Sequence, residues 1–297
     1  MAIQLKLKKE KFITSFLAFL FLTSFNTVFA ETIPAPAIDF FVTDDISIAK
    51  KNLEKFPEFP EAHFNLAVAY SRTAELEKVW SELEETKALI KKKSKDYASR
   101  VLLVEKYIAL LKKKETDLRF AYRLAFLHYL KGYLLHRLKE KSIDKDIQEF
   151  KAQIQAEKLK GDIENNKKIP ILRAEKKKLR AQKELLDDKK TNEFILEINR
   201  AIAYLDSILL RNPKDIWSMS YKGFMVFERD QDITEAKKIW DKAISLDTEN
   251  PAPHYLLGKA YMESGNPEKG LGEVTLAMLM RAKLPRGELL NSSKITK

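Results

Sequence analysis

Along the chain apolar residues return every three or four positions, and no stretch alternates apolar with polar residues as a half-buried strand would. Ala201, Leu205 and Ile208 step by four and then three; so do Ala236, Trp240 and Ala243, and again Gly270, Val274 and Ala277. The ten prolines punctuate this pattern, and none lies between Pro60 and Pro170. That interval is rich in Leu, Ala, Lys and Glu and is broken only by Gly132 and Gly161, so it is expected to be almost wholly helical. The fold class predicted is all-α, built from antiparallel helical hairpins.

The first thirty residues follow a different rule. Lys6, Lys8, Lys9 and Lys11 precede a charge-free run from Phe12 to Phe29, and Val28-Phe29-Ala30 has the small residues of a signal-peptidase site. Residues 1–30 are predicted to be a signal peptide cleaved after Ala30, followed by a Pro-containing linker over 31–43, which places the body in a periplasm or the medium. The competing reading is an uncleaved anchor, since the run is near the lower limit for spanning a bilayer; Asn26 and the nearby Ser and Thr residues argue against it. Cleavage would remove four lysines and Glu10, taking the net charge from +11 to +8. In an exported chain that excess points to anionic envelope polymers, lipids or acidic proteins, and no nucleic acid is expected. The chain has no cysteine, so disulfides and thiolate chemistry are both excluded.

The step pattern repeats at a fixed distance. Ala236, Trp240 and Ala243 lie 34 residues before Gly270, Val274 and Ala277. Ahead of the second set stands His254-Tyr255-Leu256-Leu257-Gly258-Lys259-Ala260-Tyr261, with Leu257, Gly258 and Tyr261 spaced for one helix, and Gly265-Asn266-Pro267 for a tight turn. This unit resembles the tetratricopeptide repeat, with His254 where the family has Trp. The preceding unit has Gly223 as its close-contact glycine and a turn at Asp230-Gln231-Asp232. Ala201, Leu205 and Ile208 resemble the second helix of an incomplete third unit without an evident partner helix. Near the N-terminus Leu66, Ala67 and Tyr70 occupy first-helix positions, but Val79 and Thr86 stand where the family has small alanines. The resemblance is clear over about 214–282 and divergent over about 44–92.

Between these regions, residues 139–190 carry 16 Lys+Arg and 11 Asp+Glu, too many to bury a broad face. Ile143, Ile147, Phe150 and Ile154 nonetheless step 4-3-4, and Leu172, Leu179 and Leu186 step by seven. Either a two-helix antiparallel hairpin with a narrow seam or a partly disordered charged insertion fits this pattern. The organisation expected is thus an N-terminal repeat-like region over 44–138, the charged hairpin over 139–190, repeats over 191–284 and a flexible tail over 285–297, forming an α-solenoid with a helical hairpin inserted in its middle.

No phosphate-binding glycine loop, nucleophile elbow or zinc-protease motif occurs. His128 and His136 are eight residues apart, about 80° out of register on a helix, and read as aromatic spacers. Asp187-Asp188 and Glu84-Glu85 point apart and read as solvated faces. Lys91-Lys92-Lys93 and Lys112-Lys113-Lys114 suit helix C-termini. The aromatic series Phe120, Tyr122, Phe126, Tyr129 and Tyr133 has the spacing of a core face. No catalytic residue, metal ligand, cofactor or small-molecule substrate is assigned.

The resemblance implies that first helices line a concave groove for a protein partner. Carried over by position, the groove residues are Phe64, Asn65, Val68, Ser71 and Arg72 near the N-terminus, and Tyr255, Lys259, Met262 and Glu263 near the C-terminus. The expected function is an exported scaffold or adaptor that binds another envelope or secreted protein. The alternative is an electrostatic binder of anionic wall polymer or membrane surface through Lys176, Lys177, Lys178, Arg180 and Lys183. An enzyme with a site assembled from distant residues has nothing in the sequence to motivate it.

Overall fold

The computed structural model describes residues 41–159, 168–188 and 190–283. The expected signal peptide, most of the linker and the tail over 285–297 lie outside the described residues. Among those described there are eleven α-helices and no strand, so the chain is all-α. They are α1 (Ile46–Lys55), α2 (Pro60–Tyr70), α3 (Leu76–Lys92), α4 (Tyr97–Lys112), α5 (Leu118–Leu159), α6 (Lys168–Asp188), α7 (Asn192–Arg211), α8 (Ile216–Asp230), α9 (Ile233–Leu246), α10 (Pro251–Glu263) and α11 (Pro267–Lys283). None is long and apolar enough to cross a membrane.

Helix starts are marked by short polar side chains that satisfy otherwise orphaned N–H groups. Asp45, Asp96, Thr191, Asp215, Asp232 and Asn250 each accept a backbone N–H two or three residues into the following helix. Pro60, Pro251 and Pro267 open α2, α10 and α11, where a missing N–H costs nothing. Two turns need left-handed backbone: Gln231 (φ 53°) closes α8, and Gly265 (φ 78°) sits between α10 and α11.

Helices α2/α3, α8/α9 and α10/α11 pack as antiparallel pairs, and α8 also packs on α10. Within these pairs small residues set the approach. A Cβ at Gly223 would lie 2.6 Å from the Trp240 indole nitrogen, and one at Gly258 would lie 2.8 Å from the Gly270 carbonyl oxygen. The Trp240 Nε1–H donates to the Ser220 carbonyl at 2.9 Å, so even the largest buried side chain is satisfied.

The incomplete unit finds its partner in α5. The first half of α5 packs antiparallel on α7: His136 meets Phe194, His128 meets Glu197 and Tyr204, and Thr116 accepts from Arg211. This corrects the expected register. A Cβ at Gly132 would meet the Phe194 carbonyl, just as one at Gly258 meets that of Gly270. Phe194, Ile198 and Ala201 therefore take the places expected for Ala201, Leu205 and Ile208, two turns further along; all five residues are buried.

The second half of α5 pairs with α6. Ile143, Ile147 and Ile154 are buried, Phe150, Leu172, Leu179 and Leu186 are half-buried, and Lys183 reaches Asp144 at 2.5 Å. The boundary expected at 138/139 falls inside α5, which continues unbroken to Leu159.

Candidate partner-binding surface

Three helix pairs carry the same cross-link. His63 Nδ1 lies 2.7 Å from Glu82 Oε2, His254 Nδ1 lies 2.7 Å from Glu273 Oε2, and His128 Nδ1 lies 2.6 Å from Glu197 Oε2. The sequence separations are 19, 19 and 69 positions. The α5/α7 pair thus shares this contact with the two short-turn pairs, with 50 more residues (69 − 19) between its two side chains. In α8/α9 the corresponding positions hold Met219 and Ile239, which join an apolar cluster with Ile216 and Ala243. Burial works to raise the Glu197 carboxyl, but hydrogen bonds from His128 and Lys131 outweigh it and hold the group below the usual carboxylate range. The repeated 19-residue His–Glu spacing was the sequence signal for two of these pairs, and in the third His128 is more than an aromatic spacer.

The face that first helices were expected to offer to a partner is largely filled by the chain itself. Phe64, Asn65, Val68 and Ser71 are buried. Asn65 accepts from Arg123 Nε at 2.7 Å, and the Ser71 hydroxyl donates to Tyr122 at 3.1 Å, so α5 lies over this part of α2. Arg123 is fully buried and also donates to Asp44 and to the Thr43 and Arg119 carbonyls. Arg72 stacks over Tyr122 and donates to Asp215 at 3.0 Å, tying the N-terminal pair to the cap of α8. These five N-terminal residues thus hold the fold together, because α5 packs across the surface an isolated hairpin would leave open.

The C-terminal four are placed differently. Tyr255 packs beside the cluster of Leu76, Trp217 and Ala252, so α3 covers part of α8 and α10. Lys259 lies 4.2 Å from the centre of the Trp80 ring, while Met262 and Glu263 are exposed. Around them side chains of α3, α5, α8 and α10 come together in an aromatic cluster. Trp80 and Tyr129 both pack edge-on to Phe224, and Lys87 sits over Tyr133.

Two charges are set unfavourably there. Burial pushes the Glu228 carboxyl above its usual range, with Lys190, Lys259 and Lys87 only partly opposing it and Glu263 adding to it. Burial likewise holds the Lys259 ammonium below its usual range despite Glu263 and Glu228. Among the described residues the one ion pair of Glu228 is with Lys190, at 3.9 Å. A desolvated charge without a close counter-charge destabilises the fold, and such groups concentrate where a protein binds something. Nothing in the local sequence marked Glu228, because its charged neighbours come from α3, from α10 and from the turn before α7. Among the described residues no cluster of His, Asp and Glu could hold a metal ion. A scan against protein-family models and a search of the curated proteins both return no match for the chain, so its relation to other proteins rests on the residues and packing just described.

Proposed function

We propose that the chain is an exported helical-repeat scaffold of the tetratricopeptide type, whose middle unit carries the α5/α6 hairpin as an insertion. It holds a segment of another envelope or secreted protein against the aromatic cluster shared by α3, α5, α8 and α10, and performs no reaction of its own. The observation that carries this reading is the pair of desolvated, weakly partnered charges, Glu228 and Lys259, set among Trp80, Tyr129, Tyr133 and Phe224. A polypeptide bearing side chains of both signs would add closer counter-charges to these two groups, and the aromatic rings suit its apolar atoms. A photo-cross-linking residue at Met262 should trap a specific envelope protein, whereas one at Lys238, on the outer face of α9, should not. Equal trapping at both positions, or none at either, removes the proposal. Glu228→Gln should weaken the adduct while raising the melting temperature.

A second reading, contact with anionic wall polymer or a lipid surface, is supported by Arg173, Lys177, Lys178 and Arg180, which are exposed on α6. Lys176 and Lys183 are half-buried towards the α5 seam and contribute less. Retention on anionic vesicles that disappears at high ionic strength, and that persists with Glu228→Gln, would favour it.

A further inference from the structure

Helix α11 ends the series of stacked pairs, and its outward side is unlike that of the helix it follows. Gly270, Val274 and Ala277 face α10 and are buried. Away from that face Leu271 is 63% exposed, Leu276 40% and Leu279 59%. Between Gly270 and Met280 the single charge is Glu273, which is turned to His254. The positions 34 residues earlier on α9 hold Lys237, Lys238, Asp241, Lys242 and Ser245 where α11 has Leu271, Gly272, Thr275, Leu276 and Leu279. Uncharged residues, two of them leucine, thus replace four charges on a surface that nothing in the described chain covers.

Gly272 adds an independent observation. It lies inside the helix, where glycine weakens helical structure, and a Cβ built there meets nothing within 4 Å. Gly258 and Gly270, by contrast, are required because two backbones cross at them. The same device at Gly272 has no crossing partner among the described residues. The ends of the stripe carry opposite charges: Glu268 is in the first turn and Lys283 in the last, both on the outward side. A helix with this layout is complementary to itself when run antiparallel, since Glu268 then faces the partner's Lys283 and the apolar midsections meet around Thr275 and Gly272.

We propose that α11 is the contact surface of a two-fold symmetric homodimer, in which α11 packs antiparallel on the α11 of a second copy. The proposal is independent of the partner reading above. Because the chain has no cysteine, Thr275→Cys, placed next to the symmetry axis, reports directly. On mild oxidation of the purified chain it should form a covalent dimer in high yield, and Lys238→Cys on α9 should not. Sedimentation should show a concentration-dependent dimer. Introducing the α9 residues as Gly272→Lys, Leu276→Lys and Leu279→Ser should weaken it at least tenfold while the dilute monomer keeps a cooperative melting transition. Glu268→Lys should weaken the dimer, and addition of Lys283→Glu should restore it. A chain that stays monomeric at about 100 μM, or a dimer indifferent to the triple substitution, overturns the proposal, as does equal cross-linking at 275 and 238.

Discussion

Helices α9 and α11 occupy the same place in successive pairs and agree on one side only. Inward, Ala236, Trp240 and Ala243 match Gly270, Val274 and Ala277: a small residue, a bulky one a turn later, then a small one, all buried. Outward, α9 is charged and α11 apolar. The inward match is set by a crossing that admits only small atoms at two positions, whereas the outward side answers to whatever surrounds that helix. Repetition in such a chain records packing between partner helices and says little about what each unit presents to the outside.

The comparison can be tested, beginning with its strongest contact. Trp240→Ala should cost about 3–5 kcal/mol, because it empties a fully buried site and removes the hydrogen bond to Ser220. Val274→Ala, at the matching position of α11, should cost clearly less, as the side chain is smaller and 9% exposed. Comparable losses in urea unfolding would mean the two pairs are not equivalent in construction.

Glycine substitutions separate inward from outward sides next. Gly258→Ala places a Cβ 2.8 Å from a backbone oxygen and should destabilise by about 1–3 kcal/mol. Gly272→Ala meets nothing and should stabilise the dilute, monomeric chain by up to about 1 kcal/mol through helix propensity. Both are read from unfolding midpoints at concentrations too low for self-association. A loss at Gly272 of the same size would contradict the outward placement.

The His–Glu cross-links differ in burial and should differ in effect. His128→Ala leaves Glu197, whose side chain is only 3% exposed, one hydrogen bond short, for a loss of about 1–3 kcal/mol softened by Lys131 and Arg200. His254→Ala leaves Glu273, 28% exposed, free to hydrate, and should cost about 0–1 kcal/mol.

The smallest effects are in pH dependence, where two carboxylates act with opposite signs. Glu197 titrates below its unfolded value, so the stability it contributes is complete above about pH 4.3 and is lost as the pH falls through its lowered folded value. Glu228 titrates above its unfolded value, so its penalty is present at neutral pH and is relieved as the pH falls through its raised folded value. Melting curves from pH 7 to 3 should therefore show a shallower acid loss for Glu197→Gln than for the parent chain, and a gain at pH 7 for Glu228→Gln. Parallel curves for all three would count against both assignments.

The helices, their turns and the inward residues of the C-terminal pairs were legible in the sequence, because a helix needs only local periodicity, a cap and a breaker, all written within a few residues. The α5/α6 seam was legible as one of two readings, since Ile143, Ile147 and Ile154 keep the spacing of a packed stripe inside a charged segment. The partner of α7 was not, because Glu197 lies 69 positions from His128, far outside the 19 positions that the same contact spans elsewhere. The fate of the groove was also undecided: whether Asn65 and Ser71 meet a partner or the chain's own α5 depends on how distant helices close over one another. Periodicity determined which side of each helix turns inward; only the tertiary structure decided what it turns towards, because burial on a neighbour and burial on a guest require the same apolar pattern.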